Sequence, residues 1–109
     1  MIIKIENKID DKREEHIIKI FFPENVQTAH IRNLKLVDDR GIAFEEIKYY
    51  EEIWFGAVAK TPATFSFKMK GFESLYDGTT FSFDARVNDE KQFTSYRFVL
   101  GDSVWNSGR

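Results

Sequence analysis

The sequence predicts an all-β protein, a single antiparallel β-sandwich of the immunoglobulin-like or jelly-roll-like kind with about seven to eight strands. Apolar and polar side chains alternate with a period of two in several segments, as on strands with one buried face. Turn residues separate these segments at intervals of roughly 8–12 residues. The sequence lacks the βαβ alternation that would indicate a parallel sheet. Its length predicts one domain over residues 1–109.

The clearest alternation lies in the tetrapeptide TFSF, which begins at Thr64 and again at Thr80. The apolar residues that share one parity in and beyond the two copies are Phe65, Phe67 and Met69, then Phe81, Phe83, Ala85 and Val87. We therefore predict two strands whose phenylalanines point into the core. Nothing else recurs at this offset, so the repeat does not indicate a duplicated unit.

The first part of the chain predicts an edge strand, a turn and a central strand. Ile3 and Ile5 predict the edge strand, and the almost wholly polar residues 7–15 predict a solvated turn or a short helical turn. Residues 17–22 carry apolar side chains on both faces, which is typical of a central strand. Pro23 ends it.

A third strand is predicted over residues 29–37. Ile31 and Leu34 differ in parity, which predicts a bulge near Asn33. Residues 38–41 follow with two aspartates and a glycine, and they predict a tight turn because Asp side chains bond the local backbone and Gly accepts a positive φ.

Residues 42–54 admit two interpretations. As a short helix, they place one apolar stripe at steps of three and four residues: Phe44, Ile47, Tyr50 and Trp54. As strands, they alternate with a change of phase at Glu45-Glu46. We favour strands because the surrounding elements are strands, and we expect an extended course through 57–59 to Pro62.

The C-terminal part predicts a last strand from Phe93 to Leu100, with Tyr96, Phe98 and Leu100 inward. A turn over residues 88–91 precedes it. The connection over residues 71–78 is too long for a two-residue hairpin.

Composition excludes several classes of function and site. The chain has no Cys, which excludes disulfides, thiolate metal sites and cysteine nucleophiles. A net charge of −2 argues against general nucleic-acid binding. The start is not a secretory signal, and no apolar run reaches the length of a membrane span. We expect a cytoplasmic protein, or a module of a larger protein without its own targeting signal, that binds neither nucleic acid nor membrane.

Catalytic and metal-binding signatures are weak. His16 and His30 lack a partner at a spacing typical of a triad or metal pair, and we expect both to be polar surface. Four pairs of adjacent acidic residues would fit a hydrolase that uses two carboxylates, or a calcium site. Ordinary solvated turns explain these pairs without either function. The sequence therefore predicts no enzyme, no catalytic residue, no metal and no cofactor.

Aromatic residues are the enriched class, at 16% of the chain. Those that alternation does not bury are Trp54, Trp105, Tyr49, Tyr50 and Tyr76. An exposed aromatic ring stacks on a sugar or anchors a protein interface. The alternative is that both tryptophans pack inside the sandwich.

The C-terminal third, from Asp77-Gly78-Thr79-Thr80-Phe81-Ser82-Phe83-Asp84 to Trp105-Asn106-Ser107-Gly108, resembles starch- and glycogen-binding modules of the family-21 type. Those modules carry a TFSFD strand and a Trp near the ligand. The resemblance implies that Trp105 stacks on glucose and that Asn106 bonds its hydroxyls. The chain departs from the family pattern directly after Trp105, where the expected Asp is absent.

Two classes of function follow from these observations. The first is a non-catalytic binding module for a polysaccharide, an α-glucan, with Trp105, Asn106, Trp54 and Tyr76 as ligand contacts. The alternative is a small protein-binding or assembly protein of the inhibitor, immunity or phage type. It would act through a sheet edge or an apolar patch, and a homo-oligomer fits it.

Overall fold

The computed structural model describes residues 1–70 and 78–99, and in these ranges the protein has seven strands and no helix. The strands are β1 (Lys4–Asp10), β2 (Glu15–Phe21), β3 (Thr28–Val37), β4 (Glu52–Gly56), β5 (Ala63–Lys68), β6 (Thr80–Val87) and β7 (Thr94–Val99). The predicted all-β class is confirmed.

The strands form two antiparallel sheets. One sheet has the order β1-β2-β5, and the other has the order β4-β3-β6-β7. The second and fifth strands thus pair in one sheet, and the third and sixth pair in the other. Immunoglobulin-type sandwiches have the same pairing. The predicted antiparallel sandwich is confirmed.

The two TFSF copies lie in opposite sheets, in β5 and β6. Their phenylalanines are buried as predicted, and the rings of Phe67 and Phe81 meet edge-on with centroids 6.4 Å apart. The repeat therefore supplies both halves of the core at the point where the sheets face each other. Its tetrapeptides are not neighbours in one hairpin.

The polar segment after Ile5 is partly strand, so the prediction of a turn over residues 7–15 is wrong. β1 continues to Asp10, which pairs with Glu15 of β2. The turn occupies the residues between, where the Asp10 carboxylate accepts bonds from the backbone amides of Lys12 (3.1 Å) and Arg13 (3.2 Å). An edge strand needs only one pairing partner and tolerates polar side chains, which is why composition misleads here.

The predicted central strand and the predicted bulge near Asn33 are confirmed. β2 lies at the centre of its sheet. The register of β3 against β6 shifts between Arg32 and Lys35, and Asn33 has a φ of 57° at this bulge. The side-chain amide of Asn33 donates to Asp84 Oδ2 at 2.7 Å, which stabilises the left-handed conformation.

Residues 42–51 form neither a helix nor a continuous strand, so both interpretations of this segment are wrong for most of its length. The chain runs beside β5, where Ile47 N donates to Ser66 O (2.9 Å) and Lys68 N donates to Glu45 O (2.8 Å). These contacts cover an open sheet edge that would otherwise expose backbone groups. A regular strand begins only at Glu52.

The course after β4 is a turn, so the predicted extension through residues 57–59 is wrong. Ala57 has a φ of 52°, and its carbonyl accepts a bond from Lys60 N at 3.0 Å. The reversal is needed because β4 and β5 belong to different sheets.

The predicted turn at residues 38–41 is confirmed and is held by a buried carboxylate. Lys70 Nζ donates to Asp38 Oδ2 at 2.8 Å, and the backbone amides of Ile42 and Arg40 donate to Asp38 Oδ1. These bonds, led by that from Lys70, lower the pKa of Asp38 to about 2. Gly41 takes a φ of 84°, as the turn requires.

Asn88 joins the turn after β6 to the loop before β3. Its Oδ1 accepts bonds from Gln27 N (2.7 Å) and Thr28 N (3.3 Å), its Nδ2 donates to Asn25 O (3.0 Å), and its φ is 51°.

We expect Asn88→Ala to lower the free energy of unfolding by about 1–3 kcal/mol, because it leaves these groups unpaired and strains the backbone. Urea unfolding measures this, with exposed Asp89→Ala as the control within about 0.5 kcal/mol of the parent. Equal losses in both variants would contradict the assignment.

Candidate functional site

The outer face of the four-stranded sheet carries a cluster of aromatic and cationic side chains. Cross-strand register places His30 of β3 directly beside Trp54 of β4 and beside Arg86 of β6. Their neighbours Ile31, Ile53 and Ala85 take the opposite parity and pack in or against the core. The alternation that buries one face therefore projects these three side chains from the other.

The Trp54 indole lies flat on the His30 imidazole. The ring centroids are 3.9 Å apart and the planes differ by 20°. His30 is 5% exposed, whereas Trp54 is 61% exposed. One face of the indole therefore covers the imidazole, and the other is open to solvent.

Phe93 and two arginines complete the cluster. The Phe93 ring meets His30 edge-on at 4.9 Å, and the Arg32 guanidinium lies 3.7 Å from the Phe93 centroid. The Arg86 guanidinium is 5.3 Å from the Trp54 ring and 5.2 Å from the Phe93 ring. We call the surface formed by these five residues the Trp54 face: Arg32, His30, Trp54, Arg86 and Phe93. Its rings and cations hold one another by stacking and cation–π contacts.

His30 orients its neighbours. Arg86 Nη2 lies 3.1 Å from His30 Nδ1, and a guanidinium has only donors, so Nδ1 is the acceptor and Nε2 carries the proton of the neutral ring. His30 Nε2 faces Glu52 Oε2 at 3.4 Å, without hydrogen-bond geometry. With its basic nitrogen bonded to Arg86 and its ring under Trp54, His30 acts as a positioning group.

Asp84 is the carboxylate opposite Arg32 in the register of β3 and β6. Its Oδ2 accepts a bond from Asn33 Nδ2, and its Oδ1 accepts one from Ser95 Oγ, both at 2.7 Å. The bonds from Asn33 and Ser95 lower the pKa of Asp84, with a smaller electrostatic effect of Arg32. Both oxygens of this charged group are thus engaged by neutral donors.

A second concave site lies between the sheets beside residues 42–51. It is a groove of about 540 Å³ whose walls include Leu36, Phe44 and Phe67 and whose rim includes Tyr49 and Glu46. Tyr49 is 72% exposed, and burial raises the pKa of Glu46. The groove offers apolar walls with polar groups at the rim.

Of the ligand contacts that the sequence predicts, the structure describes only Trp54. It is exposed, so the alternative that Trp54 packs inside is wrong. Tyr76, Trp105 and Asn106 lie outside the described residues.

The expectation that both histidines are polar surface is wrong. His16 is fully buried and His30 is 5% exposed. His16 has the parity of Ile18 in β2, so alternation could have indicated its burial. For His30 no such signal exists, because its burial comes from Trp54 on β4 and from Phe93, which directly precedes β7.

No family model, no curated protein and no solved structure matches this chain. The resemblance to starch- and glycogen-binding modules stays a prediction. Within residues 1–70 and 78–99 there is no group of three or more His, Asp or Glu residues that could hold a metal ion. The same ranges contain no helix long and apolar enough to cross a membrane.

Proposed function

We propose that this protein is a non-catalytic polysaccharide-binding module that binds its ligand on the Trp54 face. The observation that carries the proposal is an indole that is 61% exposed and lies flat on a buried imidazole. The apolar face of a sugar ring stacks on such a surface. Because His30 already fixes the indole, binding costs little side-chain entropy.

The surroundings of the indole suit a sugar as well. Arg86 lies beside the indole, Arg32 lies over Phe93 and Glu52 lies beside His30, and these side chains offer donors and acceptors for hydroxyl groups. The resemblance of the C-terminal third suggests an α-glucan as the first ligand to test, with Tyr76, Trp105 and Asn106 as further contacts. The sheet face would then bind a chain of sugars along its surface.

We expect Trp54→Ala to weaken polysaccharide binding at least tenfold, because it removes the stacking surface. A tenfold change is about 1.4 kcal/mol. Titration calorimetry with maltoheptaose and a panel of soluble polysaccharides measures the affinity. Tyr49→Ala is the matched control, since Tyr49 is also an exposed aromatic but lines the groove and not the Trp54 face.

The Tyr49 control should bind as the parent does, and Trp54→Phe should retain part of the affinity. Equal binding by the parent and Trp54→Ala would remove the Trp54 face as the site. The absence of binding to every polysaccharide in the panel would remove the proposed function itself.

A protein-binding or assembly function is the second candidate, and exposed apolar side chains beside the groove favour it. Ile42 is 54%, Ile47 is 43% and Tyr49 is 72% exposed. Such a patch is typical of an interface. A concentration-dependent oligomer in light scattering would support this candidate, and a monomer throughout would count against self-association.

A further inference from the structure

The Trp54 face belongs to a sheet surface that is more positive than the rest of the chain. The register and parity of the strands place four cationic side chains and two carboxylates on this surface. The cationic residues are Arg32, Lys35, Arg86 and Arg97, and the acidic residues are Glu52 and Asp84. The whole chain has a net charge of −2. Positive charge is therefore concentrated on the surface that also carries the exposed indole.

The two arginines nearest the indole have no ion-pair partner among the described residues. Among the described residues, every carboxylate that lies within 4.0 Å of a cationic group is paired with His30, Arg40, Lys68 or Lys70. Asp84, opposite Arg32, has both oxygens bonded to Asn33 and Ser95. Arg32 and Arg86 thus keep guanidinium donors for a ligand.

These guanidinium groups are also held in place. Arg32 lies over Phe93 at 3.7 Å, and Arg86 is fixed between His30 Nδ1 at 3.1 Å and the two aromatic rings. The N–H groups of a guanidinium form a planar fork, and this fork matches a carboxylate with two parallel hydrogen bonds. Ordering the side chains before the ligand arrives lowers the entropy cost of binding.

We propose that the ligand of the Trp54 face is an acidic polysaccharide whose sugars carry carboxylate groups, with one sugar stacked on Trp54 and its carboxylate bound by Arg86 or Arg32. This inference rests on the proposed function and narrows it from polysaccharides in general to polyuronates. It departs from the neutral α-glucan that the C-terminal resemblance implies. The charge of the surface, the guanidinium donors of Arg32 and those donors of Arg86 that His30 does not accept favour the acidic chain.

The same chemistry fits a nucleic acid less well. A single-stranded nucleic acid stacks successive bases on several exposed rings along a strongly basic groove. In the Trp54 face one aromatic ring is exposed, and Phe93 is half-buried beneath Arg32. The surface carries four cations and two carboxylates, and the whole chain has a net charge of −2. The resulting positive potential is weak for a polyanion with the charge density of a nucleic acid.

Titration calorimetry at low salt with three probes of similar length tests the proposal: an oligogalacturonate, a malto-oligosaccharide and oligo-dT. We expect the oligogalacturonate to bind at least tenfold more tightly than the neutral probe and than oligo-dT. Arg86→Gln should weaken oligogalacturonate binding about tenfold and weaken binding of the neutral probe by a clearly smaller factor, because the neutral probe loses hydroxyl contacts but no carboxylate partner. Lys8→Gln, which removes one exposed charge from the other sheet, is the control and should change neither.

A second variant is needed because Arg86 contacts the buried His30, so that Arg86→Gln could disturb folding. Arg32 is exposed, so Arg32→Gln should fold as the parent does and still lose several-fold in affinity for the oligogalacturonate. Equal or tighter binding of the malto-oligosaccharide overturns the acidic ligand and leaves the proposed function standing. Tighter binding of oligo-dT overturns the inference in favour of a nucleic acid. No binding of either saccharide overturns the inference and counts against the proposed function.

Discussion

Phe83→Ala is expected to lower the free energy of unfolding by about 3–5 kcal/mol, the largest effect of any substitution considered for this protein. Phe83 is 1% exposed at the centre of β6. Its ring stacks on Tyr96 at 5.4 Å and on Phe98 at 6.2 Å, and it meets Phe81 at 5.5 Å. Truncation removes these contacts and leaves a cavity that a tightly paired sheet closes poorly.

Urea denaturation followed by circular dichroism measures this loss. Ser82→Ala, one residue away on the opposite face of β6, is the control and should stay within about 0.5 kcal/mol of the parent. Because the loss is a large part of the stability of a domain of this size, Phe83→Leu is a second variant with an expected loss of about 1–2 kcal/mol. A loss below about 1 kcal/mol for Phe83→Ala would mean that the ring is not in the core.

His16→Leu is expected to raise the free energy of unfolding by about 1–2 kcal/mol at neutral pH. His16 is fully buried on the inner face of β2, opposite Phe67 of β5 and edge-on to Phe44 at 5.5 Å. Neither ring nitrogen has a hydrogen-bond partner among the described residues. Leucine has a similar volume and no polar atom, so it removes the cost of two unsatisfied nitrogens.

The same residue makes stability depend on pH. Burial lowers the pKa of His16 below its ordinary value of 6.5, so the unfolded chain binds a proton at a higher pH than the folded protein does. The stability of the parent is therefore fully present above pH 6.5 and falls as the pH drops from 6.5 toward the folded pKa. His16→Leu should lose less stability over this interval.

Urea midpoints of both proteins at pH 7.5, 6.5, 5.5 and 5.0 test this prediction. Other titrating groups are common to the two chains, so their difference at each pH isolates His16. The difference should grow as the pH falls. A constant difference would show that His16 does not titrate between the folded and unfolded states, and a destabilised His16→Leu would mean that the imidazole has a polar partner in the folded protein.

Much of the fold was predictable because alternation is a local property. The inward faces of β5 and β6 follow from the order of apolar residues, and the bulge at Asn33 follows from a change of parity. Residues 42–51 were not predictable in this way. Their backbone bonds go to the edge of β5, a partner that nothing in the segment itself specifies.

The candidate site was predictable in one residue. Trp54 stood out as an aromatic that alternation left unassigned, and the outward parity of Arg86 was also visible. His30 and Phe93 were missed, because the sequence separates the first from Trp54 by a whole loop and places the second at the start of another strand. The register of β3 with β4 places His30 beside Trp54, and the packing of Phe93 against His30 is likewise a tertiary contact.

The sequence by itself determined an all-β fold, the inward faces of its main strands and a surplus of aromatic residues without a place in the core. Side chains two residues apart share a face of a strand whatever the strand pairs with, so these properties are written in local order. The tertiary structure alone decided that the TFSF copies face each other across the sandwich and that Trp54 lies on His30 beside Arg86. Those facts depend on strand order and register, which long-range packing selects.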